Sequence, residues 1–101
     1  MKKNAVAEKY ARLSAFLRTY LHEDFQLEYG SAENAADNFR DSAGPEKTAA
    51  VAHELAEFLS AAEAVPFKQA QTWWTRELGS AWLPSDTNQI RALHRRLSKA
   101  P

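Results

Sequence analysis

Cysteine is absent from this 101-residue chain, and glycine and methionine are scarce, at three and one. Without cysteine there is no disulfide and no thiolate zinc site. Three scattered glycines cannot build a phosphate-cradling loop, which needs several within one short turn. No run of about 18 apolar residues occurs, so no segment reads as a membrane-spanning helix. Lys2 and Lys3 resemble the start of a secretory leader, but Glu8, Lys9 and Arg12 interrupt any apolar stretch behind them. The expected location is therefore the cytoplasm. An excess of one sign of charge is missing too. The 13 Lys+Arg balance 13 Asp+Glu, which removes any bulk attraction to nucleic acid or an anionic membrane.

What is present is the material of a helical core. Hydrophobic residues make up 45% of the chain and aromatics 11%, enough for one domain over residues 1–101 to fold unaided. Gly30, Gly44-Pro45, Val65-Pro66, Gly79 and Pro84 divide the sequence. Between them apolar residues recur three and four apart, the spacing of one helix face. Over residues 4–21, Val6, Tyr10, Leu13, Leu17, Tyr20 and Leu21 form a single stripe, widened by Phe16. Residues 22–30 read as an ordered connector that tucks Phe25, Leu27 and Tyr29 inward, because a lone strand would lack a partner. Ser31 is a good N-cap for a helix over residues 32–42, with Ala35, Ala36 and Phe39 facing in and Glu33 suiting the helix dipole. Pro45 opens a third helix, to about residue 64, carrying Val51, Leu55, Phe58, Leu59 and Ala62. The residue before Pro66 avoids the α region, so a fourth helix covers residues 66–78, with Gly79 just past its end. Trp73 and Trp74 are adjacent and diverge by ~100° on a helix. One of them faces away from the stripe, covered by the Trp82 loop or exposed to a partner. Asp86 or Thr87 caps a fifth helix that carries Ile90, Leu93 and Leu97 and ends near Lys99. The expectation is an all-α fold, a compact single-domain bundle of about five helices.

The balanced total conceals segregation. Residues 1–20 carry five basic side chains against one acid, residues 21–65 two against ten, and residues 66–101 six against two. The pattern is +4, −8, +4. In the acidic centre Glu33, Asp37 and Asp41 are spaced i, i+4, i+8 and stack on one face. Like charges so placed cost an isolated helix roughly 0.2–0.5 kcal/mol per pair. The row is either a solvated face answered by cations of the first or last helix, or a docking row for a basic partner.

Catalytic and metal chemistry find little support. His53-Glu54-Leu55-Ala56-Glu57 lacks the second histidine of the zinc-binding H-E-x-x-H pattern, and His22 and His94 stand apart from it. No G-x-S-x-G elbow occurs. No catalytic residue, metal ligand or cofactor site is assigned. Arg91, Arg95, Arg96 and Lys99 beside His94 form a basic patch, suited to nucleic acid or simply to the negative end of a helix dipole. The acidic centre would repel phosphates, so direct nucleic-acid binding is not expected.

At the exit of the first helix stand Tyr20-Leu21-His22-Glu23-Asp24-Phe25. This run resembles the aromatic–x–His–acid/amide–Asp–aromatic motif of a family of small helical immunity proteins from bacterial contact-dependent growth inhibition (CDI) systems, with Glu23 and Phe25 where Gln and Trp would be expected. The Ala- and acid-rich stretch 31–41, the long helix 45–64, and Leu78-Gly79, Trp82 and Pro84 before a last amphipathic helix are similar to the family in order and spacing. The resemblance implies a protein that binds and neutralises the C-terminal toxin domain of a cognate CDI surface protein, in a 1:1 complex. Such toxins are often nucleases. A nuclease presents a basic surface to phosphates, and an acidic helical face can occupy it. The residues expected to do so are Glu33, Asp37 and Asp41, with Glu23, Asp24 and Glu28 beside them. Tyr20, His22, Asp24 and Phe25 are expected to be structural, with Asp24 capping a helix or fixing the His22 tautomer.

Overall fold

The computed structural model describes residues 5–98. They form seven helices and, among the described residues, no strand: α1 Ala5–Lys9, α2 Ala11–Tyr20, α3 Phe25–Tyr29, α4 Ala32–Ala43, α5 Pro45–Glu63, α6 Phe67–Thr72 continuing into a π-helical turn Trp73–Glu77, and α7 Thr87–Ser98. The all-α bundle is as the spacing predicts. The expected helix start at Asn4 and end near Lys99 lie outside the described residues, as do Lys2 and Lys3.

The punctuation works as chemistry dictates. Ser31 Oγ accepts the Asn34 amide at 3.1 Å and starts α4. Gly44 ends it with a φ of 88°, a conformation cheap only for glycine. Pro45 opens α5 where a missing N–H is harmless. Asp86 Oδ1 accepts the Gln89 amide at 3.1 Å and opens α7.

Helix α5 is the spine, packed against α2, α4, α6 and α7. Its stripe of Val51, Leu55, Phe58, Leu59 and Ala62 is buried, as are Leu13, Leu17, Trp74, Ile90, Leu93 and Leu97 opposite. Phe58 is the aromatic centre, with Tyr10 at 5.7 Å and Trp74 at 5.4 Å between ring centroids. A Phe58→Ala cavity here would cost about 3–5 kcal/mol. A second aromatic group joins α2, α3 and α4, where Tyr20 stacks on Tyr29 at 5.6 Å and meets Phe39 at 5.4 Å.

Three local departures from the expected helices have identifiable causes. The first helix breaks at Tyr10 (φ −117°, ψ 50°). There Glu54 of α5 inserts its carboxylate and takes the amides of Arg12 and Leu13, both at 2.9 Å, interrupting the i→i−4 ladder. The connector 22–30 contains a helix, α3, held by Phe25 and Tyr29 one turn apart; Leu27 therefore points outward, 88% exposed, rather than tucking in. The fourth helix finishes in a π turn, with Leu78 N–H donating to Trp73 O at 2.8 Å. The freed Leu78 carbonyl accepts from buried Ser14 Oγ at 2.9 Å. Trp74 is the inward member of the tryptophan pair, and Trp82 covers that one, at 6.1 Å, while half-buried Trp73 meets Phe58.

Candidate functional site: an acidic edge and its internal counter-charges

The acidic row of α4 faces α7, the most basic helix, and much of the segregated charge meets there. Arg96 grips Asp37 with two prongs, Nε to Oδ1 at 3.0 Å and Nη2 to Oδ2 at 2.9 Å. Arg40 donates to Asp37 Oδ1 at 3.2 Å and to the Arg96 carbonyl at 2.7 Å, closing the C-terminal end of α7. Arg96 also lies 3.8 Å from Glu33. The hydrogen bond that Arg96 donates to Asp37, and then the Asp37 charge, raise the Arg96 pKa; burial opposes them, and the charge of Glu33 adds a lesser raise. A planar fork matched to a carboxylate is what arginine provides and lysine does not. Asp37, 27% exposed, is thus a member of the α4–α7 joint. Glu33 is half engaged, and Asp41 is exposed and lines a groove of about 980 Å³ between α5 and α7 that also carries His53 and His94. The row spans ~12 Å along the helix axis, so its two ends serve different neighbourhoods.

A second acidic group sits at the α2–α3 corner. His22 Nδ1 accepts the Asp24 backbone amide at 3.1 Å. Neutral His22 then carries its proton on Nε2, which meets Glu28 Oε1 at 2.9 Å. The tautomer is fixed by the Asp24 main chain; the Asp24 carboxylate makes no cap bond at the start of α3. Tyr20 is half-buried and Phe25 buried. Burial, followed by the charges of Glu28 and Tyr20, raises the Tyr29 pKa above the usual 10.0. Glu23, Asp24 and Glu28 all face solvent around this corner, and exposed Leu27 stands among them.

The basic C-terminal helix is largely committed to the fold. Arg91 donates to Glu63 of α5 and to Asn88, and Arg96 holds Asp37; Arg95 is exposed, and Lys99 lies outside the described residues. His53 lies 3.6 Å from Glu57, both exposed, and among the described residues no three His, Cys, Asp or Glu side chains gather as a metal group would. No helix of the described residues is long and apolar enough to cross a membrane.

Two features lay beyond sequence reasoning. One is Glu54, which nothing in the neighbouring sequence marks as special, yet which is buried and caps a helix 41 residues away. The other is the loop 80–85. Ser80 Oγ donates to the Trp82 carbonyl at 2.8 Å and accepts its amide at 3.1 Å. Ala81 N–H reaches Leu21 O at 2.8 Å, and Gln71 Nε2 reaches Pro84 O at 3.0 Å. Its turn residues predicted a loop, but not one so firmly held.

These features define a small all-α protein whose acidic α4 row is partly answered by the basic side chains of α7. The model of the CdiI immunity protein family matches residues 9–92, which is most of the chain, and the protein belongs to that family. Comparison with curated proteins and with solved structures gave no match in either case. Family membership brings with it a toxin-neutralising immunity role and a CDI toxin as partner.

Proposed function

We propose that this chain protects the cell that makes it by binding, as a monomer and in the cytoplasm, the C-terminal toxin domain of a cognate CDI surface protein, and that this toxin is a nuclease with a basic surface. The reading rests on family membership. The observation that carries the acidic face is what stays exposed after the internal pairs are formed. Arg96, Arg40, Arg12 and Arg91 answer Asp37, Glu54 and Glu63. Glu23, Asp24 and Glu28 remain in solvent at the α3 corner, with Glu33 and Asp41 at the ends of the α4 row. Solvated acids of this kind steer association with a basic partner and set specificity. Asp37 serves the same surface indirectly, by holding Arg96.

The test is co-expression with the C-terminal toxin domain encoded beside this chain. Wild type should rescue growth. The triple variant Glu23→Lys, Asp24→Lys, Glu28→Lys should melt near wild type yet lose protection; full protection by the folded variant would remove the acidic face from the proposal. Reversal of Asp37 is unsuitable for this purpose because it would also break the α4–α7 joint. Nucleic-acid binding through α7 gains no support, since Arg91 and Arg96 are held by acids of the same molecule.

A further inference from the structure

Two large apolar side chains stand exposed among the described residues, Leu27 at 88% and Leu83 at 58%. A single exposed leucine means nothing, since most protein surfaces carry some. These two lie on stretches that are tied together. Ala81, two residues before Leu83, hydrogen-bonds Leu21 at the entrance to the corner that carries Leu27. Beside Trp82 of the same loop, between the start of α4 and α7, opens a cleft of about 260 Å³, walled by Ala32, Glu33, Trp82, Ala92 and Leu93.

Each leucine is presented by an anchored support. Leu27 stands opposite Phe25 and Tyr29, which pack α3 onto the bundle, so its outward direction follows from helix geometry. A polar residue would serve the fold better at that position. Leu83 stands between Trp82, packed on Trp74, and Pro84, which is buried. The Ser80, Ala81 and Pro84 hydrogen bonds hold its loop. The backbone under each leucine is therefore ordered before any partner arrives, which removes the loop-ordering part of the cost of association. Glu23, Asp24 and Glu28 stand exposed at the corner with Leu27, and Glu33 lines the cleft, so the charge beside the apolar groups is negative.

From this arrangement we infer that Leu27, Leu83 and the Trp82 cleft are the apolar centre of the contact with the toxin domain, and that the matching toxin surface carries an apolar side chain ringed by Lys and Arg. This rests on the immunity reading above. The acids select and steer the partner, and the apolar centre slows its release.

The experiment measures calorimetric affinity for the purified C-terminal toxin domain encoded beside this chain, using full-length wild type, Leu27→Ala, Leu83→Ala and the double variant. His53→Ala, on the α5–α7 groove, is the control. Trp82→Ala is avoided because Trp82 also covers Trp74. Each leucine variant should keep the wild-type melting curve and weaken binding by about 10-fold or more, with the control unchanged. If wild type binds and both leucine variants bind within about twofold, the apolar centre is refuted while the immunity reading stands. If wild type does not bind, both fall. Sedimentation of the free protein separates the remaining occupant: a dimer dissolved by Leu27→Ala, with toxin affinity intact, would assign the patch to self-association and overturn the inference.

Discussion

Truncating Glu54 offers the sharpest test of how the bundle is held. Its Oε1 accepts the amides of both Arg12 and Leu13 at 2.9 Å, so Glu54→Ala leaves two donors at the start of α2 without an acceptor. A buried unsatisfied donor costs about 1–3 kcal/mol. Leu13 is wholly buried and takes that full range, whereas water reaches the Arg12 amide more easily and holds its cost near the lower end. The sum is about 2–4 kcal/mol. The Arg12 guanidinium adds little, because its side chain is 70% exposed and its contact is 3.4 Å long. In a domain of this size the loss lowers Tm by roughly 10–25 °C. Glu54→Gln keeps the accepting Oε1 and loses only the charge at the positive end of a helix, about 0.3–1 kcal/mol, so a drop of a few degrees is expected. Arg12→Ala should melt near wild type. Circular dichroism melts of the three variants decide the matter. An alanine variant that melts with wild type, or a glutamine variant that falls as far as alanine, would refute the capping argument.

Other perturbations are equally specific. Asp37→Ala and Arg96→Ala should each lower the urea midpoint, and the double variant should fall little further than the worse single one, since both remove the same α4–α7 joint; additive losses would show that the pair does not act together. Tyr29 has a raised pKa, so the folded state holds its proton more tightly than the unfolded chain does. Its contribution is intact below the usual value of 10.0 and is lost as pH rises through the raised one. Alkaline unfolding should therefore be steeper for wild type than for Tyr29→Phe, and superimposable curves would contradict this. Gly79 has φ +86°, and a Cβ there would meet Arg18 Cζ at 2.6 Å. Gly79→Ala should cost at least about 1 kcal/mol from backbone strain alone and disturb the Arg18–Ser14 hydrogen bond; an unchanged denaturation midpoint would oppose it.

The sequence was most legible where geometry is periodic. Val51, Leu55, Phe58, Ile90, Leu93 and Leu97 were placed inside by spacing alone, and all are buried. Ser31, Gly44, Pro45 and Gly79 marked ends because their backbone chemistry is local. The failures have the opposite character. Nothing local distinguishes Glu54 from a solvated glutamate, because its partners lie 41 and 42 residues away. The break at Tyr10 follows from that same distant carboxylate. The +4, −8, +4 charge pattern foretold attraction between segments but not that Asp37 would choose Arg96. Leu27 was misplaced for a reason that could have been seen: Phe25 and Tyr29 are four apart, a helical signal hidden by their alternation with Leu27.

The π turn at Trp73–Glu77 closes with one residue more than an α turn would use, Leu78 N–H reaching back five residues to Trp73 O. Deleting exposed Arg76 would let the helix revert to an α path of nearly the same span, with the loop that carries Leu83 aimed as before. Chain length can thus change by one residue in this turn while the surface beyond it is kept.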